Sequence, residues 1–150
     1  MTDRNFRKRI LREARDWIGT PYLHQASIKQ RGADCLGLIR GVWRQLHGEE
    51  PQSIPNYSPD WGEYGNDEPM LSAARKWCLE LSQEEARAGD IILFRWKGMS
   101  MTKHAGILSG RKHFIHAYEK SGVVETTLGR HWRKQASGYF RIPQILTTRV

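Results

Sequence analysis

The chain has 150 residues, a length that suits one domain with enough apolar residues to bury a core without disulfides or a metal. Its two cysteines form no spaced framework of the kind that disulfide-rich folds show. The formal net charge of +8 and a pI near 9.8 favour anionic partners such as nucleic acid, acidic polymers or a bacterial envelope, and composition does not choose among them. We therefore expect a single domain over residues 1–150.

The amino terminus predicts an amphipathic helix over residues 4–17. Residues 1–9 are charged and lack an apolar segment, so we expect no signal peptide, and no stretch is long enough for membrane insertion. These features predict a protein made in the cytoplasm. The apolar face of the helix, repeating at helical spacing, consists of Phe6, Ile10, Ala14 and Trp17. Gly19 and Pro21 end it, and a polar loop at residues 24–32 follows.

A second helix is predicted from Cys35 to about His47, with Gly48 ending it. Asp34 is a suitable N-cap, so Cys35 falls in the first turn. There the free backbone N–H groups and the helix dipole favour the thiolate over the thiol. Cys35 is therefore a candidate nucleophile if the chain supplies a base; otherwise it is a small buried hydrophobe.

Residues 49–68 are irregular and rich in proline and glycine, and their aromatic residues, including Trp61, either wall a groove or pack on the domain. A helix with apolar residues at helical spacing is expected from Pro69 to Leu81, with Cys78 in its core-facing part. From residue 91 the pattern changes to short strands separated by glycine-containing turns. The predicted strands are residues 91–96, 105–109, 113–118, 123–126 and 138–142. Helices followed by strands indicate an α+β fold, in which helices pack on an antiparallel sheet of about five strands.

Two histidines lie in neighbouring predicted strands. If these strands pair about a turn centred between residues 110 and 111, His104 lies opposite about residue 117 and His116 opposite about residue 105. The two imidazoles would then be near neighbours. Such a pair gives Cys35 a base and gives the base a partner that fixes its orientation.

Five motifs, in order, resemble those of the NlpC/P60 cell-wall peptidases. They are Trp17-Ile18-Gly19-Thr20-Pro21-Tyr22, Asp34-Cys35-Leu36-Gly37-Leu38, Ala88-Gly89-Asp90-Ile91-Ile92-Leu93-Phe94, His104-Ala105-Gly106-Ile107 and Ile115-His116-Ala117. The resemblance runs from about residue 12 to 142. The short chain, for which we expect no secretion signal, more narrowly resembles the phage and gene-transfer-agent branch.

The resemblance implies a papain-like α+β fold and a cysteine peptidase that needs no cofactor or metal. Its implied substrate is bacterial peptidoglycan, cut in the stem peptide between D-γ-glutamyl and meso-diaminopimelate. Cys35 would be the nucleophile, His104 the general base and His116 the orienting residue. Tyr22 matches a tyrosine beside the nucleophile. The enzyme would reach the cell wall on a phage-like particle, with phage-tail proteins as further partners, or after lysis.

The chain departs from the family pattern near the expected substrate groove. Leu36 replaces a common serine, and His24-Gln25 replaces a Gly-Gly pair. Both departures bear on the shape and polarity of the groove. The candidate substrate-binding residues are His24, Gln25, Asp34, Leu36 and Trp61.

Two alternatives remain open from the residues alone. Cys35, His104 and His116 could be zinc ligands, although their spacing is not that of common zinc motifs. The chain could instead be a basic nucleic-acid-binding or structural particle component without catalysis, using the first helix and basic residues around Trp132. No nucleic-acid-binding motif accompanies those residues, so a nucleic-acid partner is the less expected one.

Overall fold

The computed structural model describes residues 2–51, 68–96, 98 and 101–144. The helices are α1 (Asp3–Arg15), α2 (Cys35–His47), α3 (Pro69–Trp77) and α4 (Arg130–Lys134). The longest of them, α1 and α2, have 13 residues each. Across the described ranges, no helix has the length and apolar character that crossing a bilayer requires.

The strands form a hairpin and one large antiparallel sheet. They are β1 (Ser27–Ile28), β2 (Gly32–Ala33), β3 (Leu79–Leu81), β4 (Ile91–Arg95), β5 (Thr102–Leu108), β6 (His113–Tyr118), β7 (Gly122–Thr127) and β8 (Ala136–Arg141). Strands β1 and β2 make the hairpin, and the other six form a sheet in the order β3-β8-β4-β5-β6-β7. The α+β fold is confirmed, with one more strand in the main sheet than the sequence predicted.

The helices α1 and α2 cover one face of the sheet. Their buried side chains pack with residues of alternate positions on β4, β5 and β6, as the two-residue period of a strand requires. The members of this core include Phe6, Ile10, Trp17, Leu38, Val42, Leu93, Ala105, Ile107, Ile115 and Ala117. The predicted amphipathic patterns of both helices therefore identify their buried faces.

The opposite face of the sheet carries a second apolar cluster. Ile92, Phe94, Leu108, Phe114 and Leu128 are buried there, and Trp132 of α4 packs against them. The sheet is thus covered on both faces. This second face also holds the ring of His116, whose centroid lies 4.3 Å from that of Phe114 and 5.2 Å from that of Trp132.

The third helix is shorter than the sequence predicted. It ends at Trp77, Cys78 has an extended backbone, and β3 follows at once. Residues 79–81 pair with β8, in the register Leu79 with Arg141 and Leu81 with Tyr139. Because the hydrogen bonds to β8 come from a segment distant in sequence, the local helical spacing gave no indication of them. Cys78 still packs against the core, as expected.

The Ala88-Gly89-Asp90 motif joins β4 to β8 through a buried ion pair. Asp90 is fully buried, and its two carboxylate oxygens accept hydrogen bonds from Arg141 Nε at 3.0 Å and Nη2 at 2.8 Å. The same carboxylate accepts from the backbone N–H of Arg87 at 2.8 Å. The motif therefore holds the start of β4 against the end of β8.

We expect Asp90→Ala to lower the free energy of unfolding by about 3 kcal/mol, because the change leaves a partly buried guanidinium without its partner. Chemical denaturation measures the loss. Glu80→Ala is the matched control, since the Arg75–Glu80 pair is about half exposed. Its effect should stay below about 0.5 kcal/mol. Equal losses in the two variants would contradict the structural role of Asp90.

Candidate active site

The start of α2 is held by the side chain of Asp34, as predicted. This residue is 3% exposed, and its Oδ1 accepts a hydrogen bond from Gly37 N at 2.7 Å. Its Oδ2 accepts from Gln25 N at 2.8 Å. A Cβ atom at Gly37 would overlap the carbonyl oxygen of Ala26, so the loop and the helix pack in direct backbone contact. Asp34 therefore fixes both the helix start and the preceding loop beside Cys35.

Tyr22 lies on the other side of the same loop. Its segment pairs with β2: Leu23 N donates to Ala33 O at 3.2 Å, and Ala33 N donates to Pro21 O at 3.0 Å. Burial raises the pKa of Tyr22, and negative charge on Cys35 or Asp34 raises it further. The phenol therefore stays protonated near the Cys35 thiol and is able to donate a hydrogen bond.

Cys35 is the first residue of α2 and contacts the backbone of β5 on both sides of His104. Its Sγ donates to the carbonyl oxygen of Lys103 at 3.9 Å, and the Ala105 backbone also interacts with the sulfur. In the part of the chain that the structure describes, no thiol hydrogen bond to the His104 ring occurs. The thiol therefore lies against the strand that carries His104. The pairing of Cys35 as nucleophile with His104 as base remains a prediction.

The charge state of Cys35 differs from the expectation. Burial raises the pKa of the thiol to about 12, and Asp34 raises it as well. Hydrogen bonds with the backbone of Ala105 and Leu36 and the charge of Lys103 act in the opposite direction but do not offset burial. The predicted resting thiolate is therefore wrong for this structure, because desolvation outweighs the helix N-terminus.

His104 and His116 are near neighbours, as predicted. His104 Nε2 lies 2.7 Å from His116 Nδ1, and the two side chains are 4% and 1% exposed. The strand register differs by one residue from the predicted one. Ile107 pairs with Ile115, and continuing this register by one residue places Gly106 opposite His116. Directly opposed residues share a face, so this register puts both rings on the same side of the sheet.

A threonine continues the histidine pair and was not identified from the sequence. Thr126 Oγ1 lies 2.8 Å from His116 Nε2. Thr126 pairs with Phe114 on the neighbouring strand, which makes it a diagonal neighbour of His116. Only a reliable β6–β7 register could have indicated it. The structure thus contains a hydrogen-bonded chain from His104 through His116 to Thr126.

Aromatic rings enclose the two histidines. The Trp96 ring stacks on His104 with centroids 4.9 Å apart, and Trp132 lies 6.0 Å from His104. Burial lowers the pKa of His104 well below its usual value, and the neighbouring His116 adds to the effect. Burial lowers the pKa of His116 to about 4. The resting site therefore combines a neutral thiol with two neutral imidazoles.

The remaining candidate substrate residues surround the start of α2, except for Trp61, which lies outside the described residues. His24 Nδ1 is 3.9 Å from Asp34 Oδ2. Gln25 has a φ of 64°, a conformation that favours glycine, which is the residue of the family pattern at this position. Leu36 and Ala105 line an apolar cavity of about 310 Å³ with Trp77. The cavity is thus adjacent in sequence to Cys35 and His104.

The geometry does not favour the zinc alternative. Within residues 2–51, 68–96, 98 and 101–144, no three His, Cys, Asp or Glu side chains are grouped to hold a metal ion. The facing nitrogens of His104 and His116 share a hydrogen bond at 2.7 Å, which occupies them with each other. Two nitrogens in that arrangement cannot both direct lone pairs at one ion.

Comparison with known proteins identifies the family. The NlpC/P60 family pattern matches residues 19–141. The Murein DD-endopeptidase MepS/Murein LD-carboxypeptidase of Escherichia coli strain K12 is 29% identical over 130 residues, covering 86% of this chain and 59% of that protein. The Gamma-DL-glutamyl hydrolase of Bacillus subtilis strain 168 is 26% identical over 139 residues, covering 91% of this chain and 29% of that protein.

A solved structure agrees with this assignment. The NlpC/p60 domain of the peptidoglycan hydrolase SagA superposes with a TM-score of 0.64 at 25% identity, covering 91% of this chain and 98% of that domain. The chain spans only 59% and 29% of the two curated relatives, so the match concerns one part of each. With the fold and the family pattern in agreement over most of its length, the chain belongs to the NlpC/P60 family.

Proposed function

We propose that this chain is a cysteine endopeptidase that hydrolyses peptidoglycan stem peptides. The observation that carries the proposal is that Cys35, the first residue of α2, donates to the backbone of Lys103, the residue directly before His104 of the buried His104–His116 pair. Relatives named as a murein endopeptidase and a gamma-DL-glutamyl hydrolase support this substrate class. The bond between D-γ-glutamyl and meso-diaminopimelate is the expected cleavage site.

In the proposed reaction His104 acts as a general base on a neutral thiol. Its Nε2 is engaged with His116, so Nδ1 is the nitrogen that takes the proton as Sγ attacks the carbonyl carbon. The distance between nucleophile and base is often long before substrate binds. A thiol that donates to Lys103 in the free protein is therefore compatible with proton transfer to His104 once substrate is bound. His104 then gives its proton to the leaving amine, and an activated water releases the acyl group.

Two donors are suited to the oxyanion that forms during the attack. The backbone N–H of Cys35 is one of the free groups at the start of α2. The protonated Tyr22 hydroxyl is the second, since it lies near the sulfur and its pKa is raised. One such donor commonly contributes about 3 kcal/mol to the transition state. Tyr22→Phe tests this role directly.

The pH dependence of the rate should reflect a neutral base. Protonation of His104 abolishes its base function, so the rate falls as pH falls. Because burial lowers the pKa of this residue, we expect kcat/KM to stay level from about pH 8 down to pH 6.5 and to decline only below it. The measurement is hydrolysis of a purified muropeptide across this range. A half-maximal rate above pH 6.5 would contradict a buried neutral base.

The function itself is tested by mass spectrometry of fragments released from purified peptidoglycan. The native chain should release stem-peptide fragments, whereas Cys35→Ala should release none. Activity that survives a strong chelator but not a thiol alkylator supports the cysteine mechanism over the zinc alternative. No release by either protein, together with salt-sensitive DNA binding, would support the basic binding module instead.

The cell wall is the proposed place of action, and a phage-like particle or lysis is the proposed route to it. The basic charge fits an anionic envelope, and the resemblance to the phage and gene-transfer-agent branch supports the route. Antibody detection of the chain in purified particles tests particle carriage. Its presence only in lysate supernatants would support release at lysis.

A further inference from the structure

We propose that Thr126 is a positioning residue that selects the reactive tautomer of His104 through His116. The inference rests on the proposed cysteine peptidase function, because it concerns how the base is prepared. Thr126 does not reach the reacting atoms and acts only through the two rings.

The contacts form a linear chain across three adjacent strands. His104 on β5 lies 2.7 Å from His116 on β6, nitrogen to nitrogen, and His116 lies 2.8 Å from the hydroxyl of Thr126 on β7. Each imidazole in its neutral form has one donor nitrogen and one acceptor nitrogen. The direction of one hydrogen bond therefore sets the direction of the other.

Only two directions are consistent with neutral rings. In the first, His104 Nε2–H donates to His116 Nδ1, and His116 Nε2–H donates to Thr126 Oγ1. His104 Nδ1 then carries a lone pair and is able to accept the thiol proton. In the second, the threonine hydroxyl donates to His116 Nε2, and His116 Nδ1–H donates to His104 Nε2. The proton then sits on His104 Nδ1, which cannot act as a base.

Removing the hydroxyl penalises the reactive direction more than the unreactive one. Without Thr126 Oγ1, the reactive direction leaves His116 Nε2–H as a buried donor with no acceptor. The other direction leaves an unpaired nitrogen lone pair. Among backbone groups a buried N–H without an acceptor is rarer than an unpaired acceptor, and we expect the same order for the imidazole. His116 is 1% exposed and the Trp132 ring packs edge-to-face against it, which limits replacement of the hydroxyl by water.

The test compares three variants of the full chain. Thr126→Val keeps the shape of the side chain but removes the hydroxyl, and Thr126→Ser restores it. Thr127→Val is the control, since Thr127 is the exposed neighbour on the same strand. We expect Thr126→Val to lower kcat about tenfold to a hundredfold with KM unchanged, the range seen when a hydrogen-bond partner that orients a metal-ligating histidine is removed. The serine variant and the control should stay near the native rate.

Histidine side-chain ¹⁵N spectra at pH 7 supply a readout independent of activity. In the native chain the His116 signals should report a proton on Nε2 and none on Nδ1, and in Thr126→Val they should shift towards the Nδ1–H form. Native His116 signals and a native kcat in Thr126→Val would overturn the proposal, as would an equal loss in the serine variant. If the native chain does not hydrolyse peptidoglycan, the proposed peptidase function is refuted. The ¹⁵N spectra still test which tautomer His116 adopts.

Discussion

Cys35→Ala is expected to lower peptidoglycan hydrolysis at least about a thousandfold, because no other described thiol lies at a helix start against the strand that carries His104. The variant should fold normally, since the change removes a single sulfur atom and leaves the Asp34 cap of α2 in place. The measurement is the rate of stem-peptide release at neutral pH, with thermal unfolding as the check on the fold.

Cys78→Ala is the matched control for this loss. Burial raises the pKa of the Cys78 thiol to about 12, as it does for Cys35, so the two thiols share a charge state. They differ in position: Cys78 follows the last residue of α3, whereas Cys35 is the first residue of α2 and donates to the strand that carries His104. Native activity in Cys78→Ala is expected. A comparable loss in both variants would show that thiol chemistry is not confined to Cys35.

Gly41→Ala is expected to lower the free energy of unfolding by about 2 kcal/mol. Helix propensity alone predicts the opposite sign, a gain of roughly 1 kcal/mol for replacing a glycine inside α2. Packing decides the sign, because a Cβ atom at Gly41 would overlap the ring of Trp17, lying 2.9 Å even from its Cε2. Overpacking a full core typically costs about 1–3 kcal/mol.

The Trp17 ring has little freedom to make room for this methyl group. It is 2% exposed, and its Nε1 donates to Gln45 Oε1 at 3.2 Å. Gly110→Ala is the control, because no atom lies within 4 Å of a Cβ placed there. Chemical denaturation of both variants distinguishes the two effects. A stabilised Gly41→Ala variant would mean that the Trp17 ring, in the turn after α1, is able to move away from α2 at no cost.

Local sequence rules were sufficient for the start of α2 and for its end. The interval from Asp34 to Gly48 was predicted correctly because both boundaries depend on single residues that act on adjacent backbone. The end of α3 was predicted wrongly, because β3 forms only through its hydrogen bonds to β8. The two strands are far apart in sequence: Glu80 pairs with Phe140, 60 residues further along. Local patterns carry no information about such a partner.

The histidine pair was predicted, but from a register one residue away from the observed one. Taken literally, the predicted register places the two rings on opposite faces of the sheet, because the side-chain period of a strand is two. The observed pairing of Ile107 with Ile115 restores a common face. A turn sequence alone does not decide between registers that differ by one residue.

The charge of the nucleophile could not be predicted either. A thiol at the start of a helix favours the thiolate only while solvent or a cation compensates the charge. Cys35 packs against the core and against the backbone of Lys103, 68 residues further along, so the desolvation that dominates its pKa follows from tertiary packing. Burial among aromatic rings on the other face of the sheet makes both histidines neutral.

The order of the strands has a consequence for how the chain gains its reactivity. The contacts from His104 to His116 and from His116 to Thr126 join residues 12 and 10 positions apart within successive hairpins, whereas the Cys35 contact with Lys103 spans 68 positions. Closing the larger loop costs more chain entropy, so contacts of this kind are expected to form later in folding. We expect a partly folded chain to contain the histidine pair without the thiol, and therefore to be unable to cleave a substrate before folding is complete.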